Sequence, residues 1–155
     1  FAGRRARFPC SVPTMTREEL VAEAKRLALL IKQGRVDEAY EGFSAVYANP
    51  AFGSFNADDQ RQILRFMVLG KRPELHRSVL PASIVEAHRG ALATLNDLVS
   101  TLNDPADYEL LGLAFQRIGN DAAAANIFRE GLRMERERNP QSDLCGALMS
   151  RLSAV

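Results

Sequence analysis

An all-helical protein is what this sequence predicts, on three observations. Apolar residues recur at spacings of three and four through each long segment, the pattern of a helix with one buried face. Glycines and Asn-Pro or Asp-Pro pairs cut the chain into pieces of helical length. No stretch alternates apolar and polar residues as a half-buried strand does.

Thr16 followed by Glu19 makes a capping box, which opens a first helix at about Arg17. Its apolar stripe is Leu20, Val21, Ala24, Leu27, Ala28 and Ile31, and Gly34 stands where a left-handed C-terminal residue belongs. A second helix spans about Val36 to Ala48, with Ala39, Phe43, Val46 and Tyr47 inward. Asn49-Pro50 ends it, because a residue before proline is pushed out of helical geometry. Residues 51–57 (AFGSFNA) read as a loop with two exposed or half-buried aromatics.

A third helix is expected from about Asp58 to Leu69, with Ile63, Phe66 and Met67 apolar and Gly70 closing it. Between Lys71 and Ser83, Pro73 and Pro81 flank ELHRSVL, which suits either one short helical turn or an extended loop. The fourth helix runs from Ile84 to about Leu102 with Val85, His88, Leu92, Leu95 and Val99 as its stripe. Asp104-Pro105 starts the fifth, an N-cap acid followed by proline at the first helical position; it reaches Ile118 and stops at Gly119. The sixth opens at Asp121 and continues to about Arg138, where Asn139-Pro140 ends it. A seventh, from about Ser142 to Leu152, carries Leu144, Leu148, Met149 and Leu152 on one face.

The bulk composition fits one domain able to bury a core without metals or disulfides: 155 residues, 46% of them hydrophobic. No apolar run approaches the roughly 20 residues that span a bilayer, so no membrane segment is expected. The net charge of +1 argues against a nucleic-acid binder, whose domain is usually clearly basic. Arg4, Arg5 and Arg7 supply that sign. Beyond residue 14, 17 basic residues face all 19 acids. Residues 1–15 thus read as a disordered or loosely attached leader, interrupted by Pro9 and Pro13, and residues 16–155 as the folded domain.

No catalytic, cofactor or metal constellation stands out. Cys10 and Cys145 lie at opposite ends with no CxxC pair, which suits a reducing cytoplasmic setting. Cys145 falls on the last helix and reads as a small core residue. His76 and His88 show neither HxH nor HExxH spacing, and His88 sits on an apolar stripe. No GxSxG, Walker or GxGxxG pattern occurs. The charged run REGLRMERER at 129–138 places Glu130 near Arg133 and Arg133 near Glu137 at helical neighbour spacing, which makes a self-paired solvated face rather than a basic patch.

The most informative feature is an internal repeat. KQGRVDEAYEGF at 32–43 aligns with RIGNDAAAANIF at 117–128, matching Gly34, Ala39 and Phe43 with Gly119, Ala124 and Phe128 at a constant offset of 85 residues. The later copy extends further: Tyr108, Leu111, Gly112, Phe115, Ala124 and Phe128, with Pro140 beyond. This skeleton resembles the tetratricopeptide repeat, whose pattern is aromatic-x2-Leu-Gly-x2-aromatic, then Ala-x3-Phe, then proline. In such a hairpin the small residues Gly112 and Ala124 let two antiparallel helices cross closely, and the aromatics fill the space around them. Tyr108 replaces the usual Trp, Gly131 stands where Ala is commoner, and Pro140 comes about four residues late relative to the pattern. The first copy keeps only the turn and the second-helix half.

The resemblance implies a right-handed superhelix of antiparallel hairpins, a tetratricopeptide-like α-solenoid of about three hairpins closed by a C-terminal capping helix. It also implies a non-catalytic interaction module that binds a peptide segment or helix of another protein in a concave groove lined by the first helix of each pair. By that resemblance the groove carries Ala24, Ala28, Ile31 and Lys32, then Gln60, Leu64 and Met67, then Glu109, Leu113, Gln116 and Arg117. Family members that grip a terminal carboxylate use Lys, Arg and Asn at inner positions held here by Ala24, Ala28, Glu109 and Leu113, so no such clamp is expected. An apolar groove with basic edges at Lys32 and Arg117 is. The alternative is a self-associating structural protein, a homodimer through the same face.

Overall fold

In the computed structural model, residues 14–155 are described. The arginines and Cys10 of the expected leader lie outside them. The described residues form seven α-helices: α1 (Arg17–Lys32), α2 (Val36–Ala48), α3 (Ala57–Leu69), α4 (Ala82–Leu102), α5 (Pro105–Arg117), α6 (Asp121–Arg138) and α7 (Asp143–Ser153). Two 3-10 turns, Pro50–Ser54 and Pro73–His76, precede α3 and α4. Among the described residues there is no strand, and no helix is long and apolar enough to cross a membrane.

Local chemistry sets the helix boundaries. The Thr16 hydroxyl accepts from the Glu19 backbone N–H at 3.1 Å, and Glu19 Oε1 accepts from the Thr16 N–H at 2.8 Å, closing the capping box. Asp104 accepts from the Ala106 N–H ahead of Pro105 in the same manner, at 3.0 Å. Asn56, Asn120 and Ser142 cap α3, α6 and α7.

The two repeat copies close with one turn. Gly34 and Gly119 adopt φ of 78° and 89°, the left-handed region open to glycine. Their N–H groups donate to Ile31 and Gln116 at 3.0 Å, and the next residues, Arg35 and Asn120, donate to Leu30 and Phe115 at 2.9 Å. Each pair of bonds is a Schellman motif, and each satisfies carbonyls that the helix end would orphan. Ala39, Phe43, Ala124 and Phe128 are all fully buried on the following helices.

Packing follows chain order except around α3. Helix α1 packs on α2, α4 on α5, α5 on α6, and α6 on α7, whereas α2 packs chiefly along α4 and α3 touches α4 and α5. The α5–α6 crossing is close because Gly112 faces the Phe128 ring directly, leaving no room for a Cβ. Burying a ring such as Phe128 contributes roughly 2 kcal/mol. An aromatic chain ties α2 to its neighbours: Phe43 meets Tyr40 at 5.5 Å and Phe66 at 5.8 Å, and Tyr47 meets Phe52 at 5.3 Å. Charged residues join α3 to α5, where Arg61 forks onto the fully buried carboxylate of Asp107.

Several local expectations are corrected. On α1, Leu20, Leu27 and Leu30 are buried while Val21 and Ala28 are exposed, so the buried stripe is turned toward α2. On α4 the core side is Ile84, Ala87, His88, Ala91, Leu95, Leu98 and Val99, with Val85 and Leu92 at its margin; the helix begins at Ala82. The AFGSFNA loop contains a 3-10 turn, and Phe52 within it is fully buried, since its ring completes the aromatic chain. The Lys71–Ser83 segment takes the short-turn form, Pro73–His76. Glu130 and Glu137 do pair with Arg133, both at 2.9 Å.

Candidate functional site

One depression lies between α1 and α3, and a second between the segment after α3, α5 and α7. The first follows from how α1 is turned. Its leucines face α2, which leaves Val21, Ala24 and Ala28 on an adjoining stripe. Opposite them α3 offers Ile63 and Phe66, and because the two helices make little direct contact a slot of about 300 Å³ stays open between them. Its margin is polar, with Lys25, Asp59 and Gln62. Arg17 Nε donates to Asp59 Oδ2 at 2.9 Å, and this bridge closes the slot where both helices begin. Val21 is 39% exposed, a large aliphatic side chain in contact with water.

The second depression is polar. The segment after α3 folds back over α5 and α7, and the hollow between them, about 540 Å³, is lined by Leu75, Arg77, Leu113, Gln116, Arg117 and Arg151 among others. An adjoining hollow, also about 540 Å³, shares Leu75, His76, Arg117 and Arg151 with it and adds Lys71 and Arg72.

Beneath both hollows lies a buried network built around the end of α3. Arg72 donates from Nη1 to the Met67 carbonyl at 3.1 Å and from Nη2 to that of Phe66 at 2.8 Å, and Arg117 Nη1 donates to that of Val68 at 2.7 Å. Two guanidinium groups thus take three of the four carbonyls at the helix end, where positive charge is favoured. Arg72 also donates to the Tyr40 hydroxyl at 2.6 Å and lies over the Phe66 ring, 4.9 Å from its centre. Arg117 Nη1 reaches His88 Nε2 at 3.0 Å, while His88 Nδ1 meets the Ile84 carbonyl at 2.7 Å.

Those two contacts fix the imidazole. A carbonyl only accepts and a guanidinium only donates, so Nδ1 carries the hydrogen and Nε2 the lone pair. The ring is neutral in this arrangement. Burial, reinforced by the Arg117 charge, pushes its pKa down to about 3. Burial likewise brings Arg117 down to about 10, with repulsion from Arg151 and Arg72 acting in the same direction. Tyr40 is raised by burial, against the pull of Arg72.

The residues expected to line a groove are divided by this arrangement. Ala28 lines the apolar slot together with Ala24, while Ile31 is half-buried and Lys32 is exposed at the end of α1. Gln60, Leu64 and Met67 are buried in the core, where Gln60 donates to the Phe52 carbonyl at 2.9 Å. The slot instead meets their helix neighbours Asp59, Gln62, Ile63 and Phe66, because α3 is rotated relative to the expected register. Glu109 is buried against α7, accepting from Arg151 Nε at 3.2 Å. Leu113, Gln116 and Arg117 line the polar hollow. Arg117 is no open basic edge, since its Nη1 is spent inside the network. Arg72 carried no signal in the sequence, where nothing distinguishes it from Lys71 or Arg65.

No known protein-family model matches this chain. Nor does a curated protein or a solved structure match it. The candidate site therefore rests on its own geometry. Among the described residues, no group of three or more His, Cys, Asp or Glu is placed to hold a metal ion.

Proposed function

We propose that this chain is a non-catalytic protein-interaction module that receives a helix or extended segment of another protein in the slot between α1 and α3. The observation that carries this reading is the stripe Val21, Ala24 and Ala28, which faces Ile63 and Phe66 across about 300 Å³ of open space. An apolar slot with a polar margin suits a partner side chain of the leucine or phenylalanine type, anchored by burial and oriented at the rim by Lys25 and Asp59. The reading includes a tetratricopeptide-like array, in which α1–α2, α3–α4 and α5–α6 stack as a right-handed superhelix and α7 caps the last pair. The matched turns at Gly34 and Gly119 support it. It also includes a cytoplasmic setting, which the free thiol of Cys145 favours.

The test is binding by the full chain against Ala28→Arg, which fills the slot from an exposed position without touching the core. Partners captured from the source lysate by the wild type are identified, purified and titrated back against both proteins. A partner that binds the wild type directly and loses at least about tenfold in affinity to the variant supports the reading. Equal binding to both sinks it. Self-association is the alternative, favoured by the exposure of Val21 beside the slot. Light scattering decides it: a dimer mass that Ala28→Arg reduces to the monomer gives the slot to a second copy.

A further inference from the structure

The polar hollow gathers more positive charge than its surroundings neutralise. Across its two adjoining parts Lys71, Arg72, Arg77, Arg117 and Arg151 face one lining carboxylate, Asp121. Of these five cations only Arg151 is ion-paired among the described residues, to Glu109. Arg72 spends its charge on backbone carbonyls and Tyr40. Arg117 differs from it. Nη1 is engaged with Val68 and His88, but Nε and Nη2 have no hydrogen-bond partner among the described residues, although the side chain is largely buried.

Cations gathered in a concavity repel one another, and removing them from water raises the cost. The lowered pKa of Arg117 has both origins. An arrangement of this sort is relieved by an anion, and most fully by one with two charges and several acceptor oxygens. A planar guanidinium with free donors matches phosphate geometry in particular. The space, about 540 Å³ in each part, is far larger than a bare oxyanion needs and has apolar walls at Leu75, Leu80 and Leu113. An organic body attached to the phosphate would rest on those walls.

We propose that the hollow between the Lys71–Leu80 segment, α5 and α7 is a binding site for a phosphate monoester, with Arg117 as its inner donor and Lys71 and Arg77 at its mouth. The site shares no lining residue with the α1–α3 slot and goes beyond the interaction reading, since either can hold without the other. Two carriers of the same group fit the chemistry, a phosphorylated side chain of a protein segment and a small phosphorylated metabolite.

The experiment is a proton–nitrogen NMR titration of the full chain at constant ionic strength. The probes are inorganic phosphate, a sugar phosphate, a short phosphoserine peptide, the same peptide without phosphate, and chloride. Saturable shifts at Leu113, Gln116 and the Arg117 side chain are expected with the phosphate probes and absent with the other two. Lys71 and Arg77 are exposed, so Lys71→Ser/Arg77→Ser leaves the buried network intact and is expected to weaken binding roughly tenfold. Tighter binding of the phosphopeptide than of the sugar phosphate assigns the carrier to a protein, and the reverse order to a metabolite. Shifts that chloride reproduces, or that persist unchanged in the double variant, overturn the site.

Discussion

Arg61 of α3 and Asp107 of α5 are locked as a fork, Nε 2.9 Å from Oδ1 and Nη2 2.5 Å from Oδ2. The Asp107 side chain is wholly buried and that of Arg61 19% exposed. Removing the cation alone strands a charge in the core. Arg61→Met is therefore expected to cost about 3 kcal/mol in urea unfolding, and Arg61→Met/Asp107→Leu to regain most of that loss. Equal destabilisation in the single and double variants would show that the pair does not act as a unit.

His88 makes stability depend on pH with a definite sign. Its pKa is about 3 in the folded chain against an ordinary value of 6.5, so the unfolded chain takes up the proton first. Stability is full above about pH 6.5 and falls by up to about 1.4 kcal/mol per unit as the pH drops toward 3. Glu38 and Glu130, whose values are lowered by Arg35 and Arg133, add losses of the same sign at acid pH. The comparison is thus with His88→Gln, whose stability is expected to decline less steeply between pH 6 and 4. Parallel curves for the two proteins would contradict a neutral buried imidazole.

Gly112 is expected to tolerate no side chain. A methyl group there meets the Phe128 ring, so Gly112→Ala should lose about 2 kcal/mol despite alanine's better helix propensity. The companion Gly112→Ala/Phe128→Leu should lose less than the sum of the two single changes. Additive losses in thermal unfolding would mean that the two positions are uncoupled.

The paired turns give a matched test. Gly34 and Gly119 share φ near 80° to 90° and have open space around the missing Cβ, so alanine meets backbone strain and no collision. Gly34→Ala and Gly119→Ala should each cost about 1 kcal/mol, and asparagine less, because it enters the left-handed region more readily. A difference between the two sites much beyond that would break the equivalence of the copies.

Helix boundaries and the repeat were the legible part, because caps, prolines and glycines act over four or five residues of local chain. Gly34, Gly119, Asp104 and Thr16 all stand where those signals place them. Which face each helix buries is less legible. The rotation of α1 and α3 depends on partners remote in sequence: Leu30 is buried and Val21 is not because α2 packs on one side alone. Gln60, Leu64 and Met67 are turned inward for the same reason, by a rotation that periodicity does not resolve. Arg72 shows the limit most plainly. Its role comes from the carbonyls of Phe66 and Met67 and the hydroxyl of Tyr40, which only the folded chain brings together.

The two guanidinium groups at the end of α3 also bear on how the molecule comes apart. In a stack of hairpins that touch only their neighbours, unravelling can begin at either end and proceed piecewise. Helix α3 has just 13 residues, and one of its final carbonyls is held by Arg117, at the last position of α5. Its closing turn is thus held from both sides, by Arg72 and by α5: loss of α5 would free the Val68 carbonyl, and fraying of α3 would expose the His88–Arg117 pair in turn. This stitch couples the middle of the chain to α5, and the two are expected to melt together rather than piecewise.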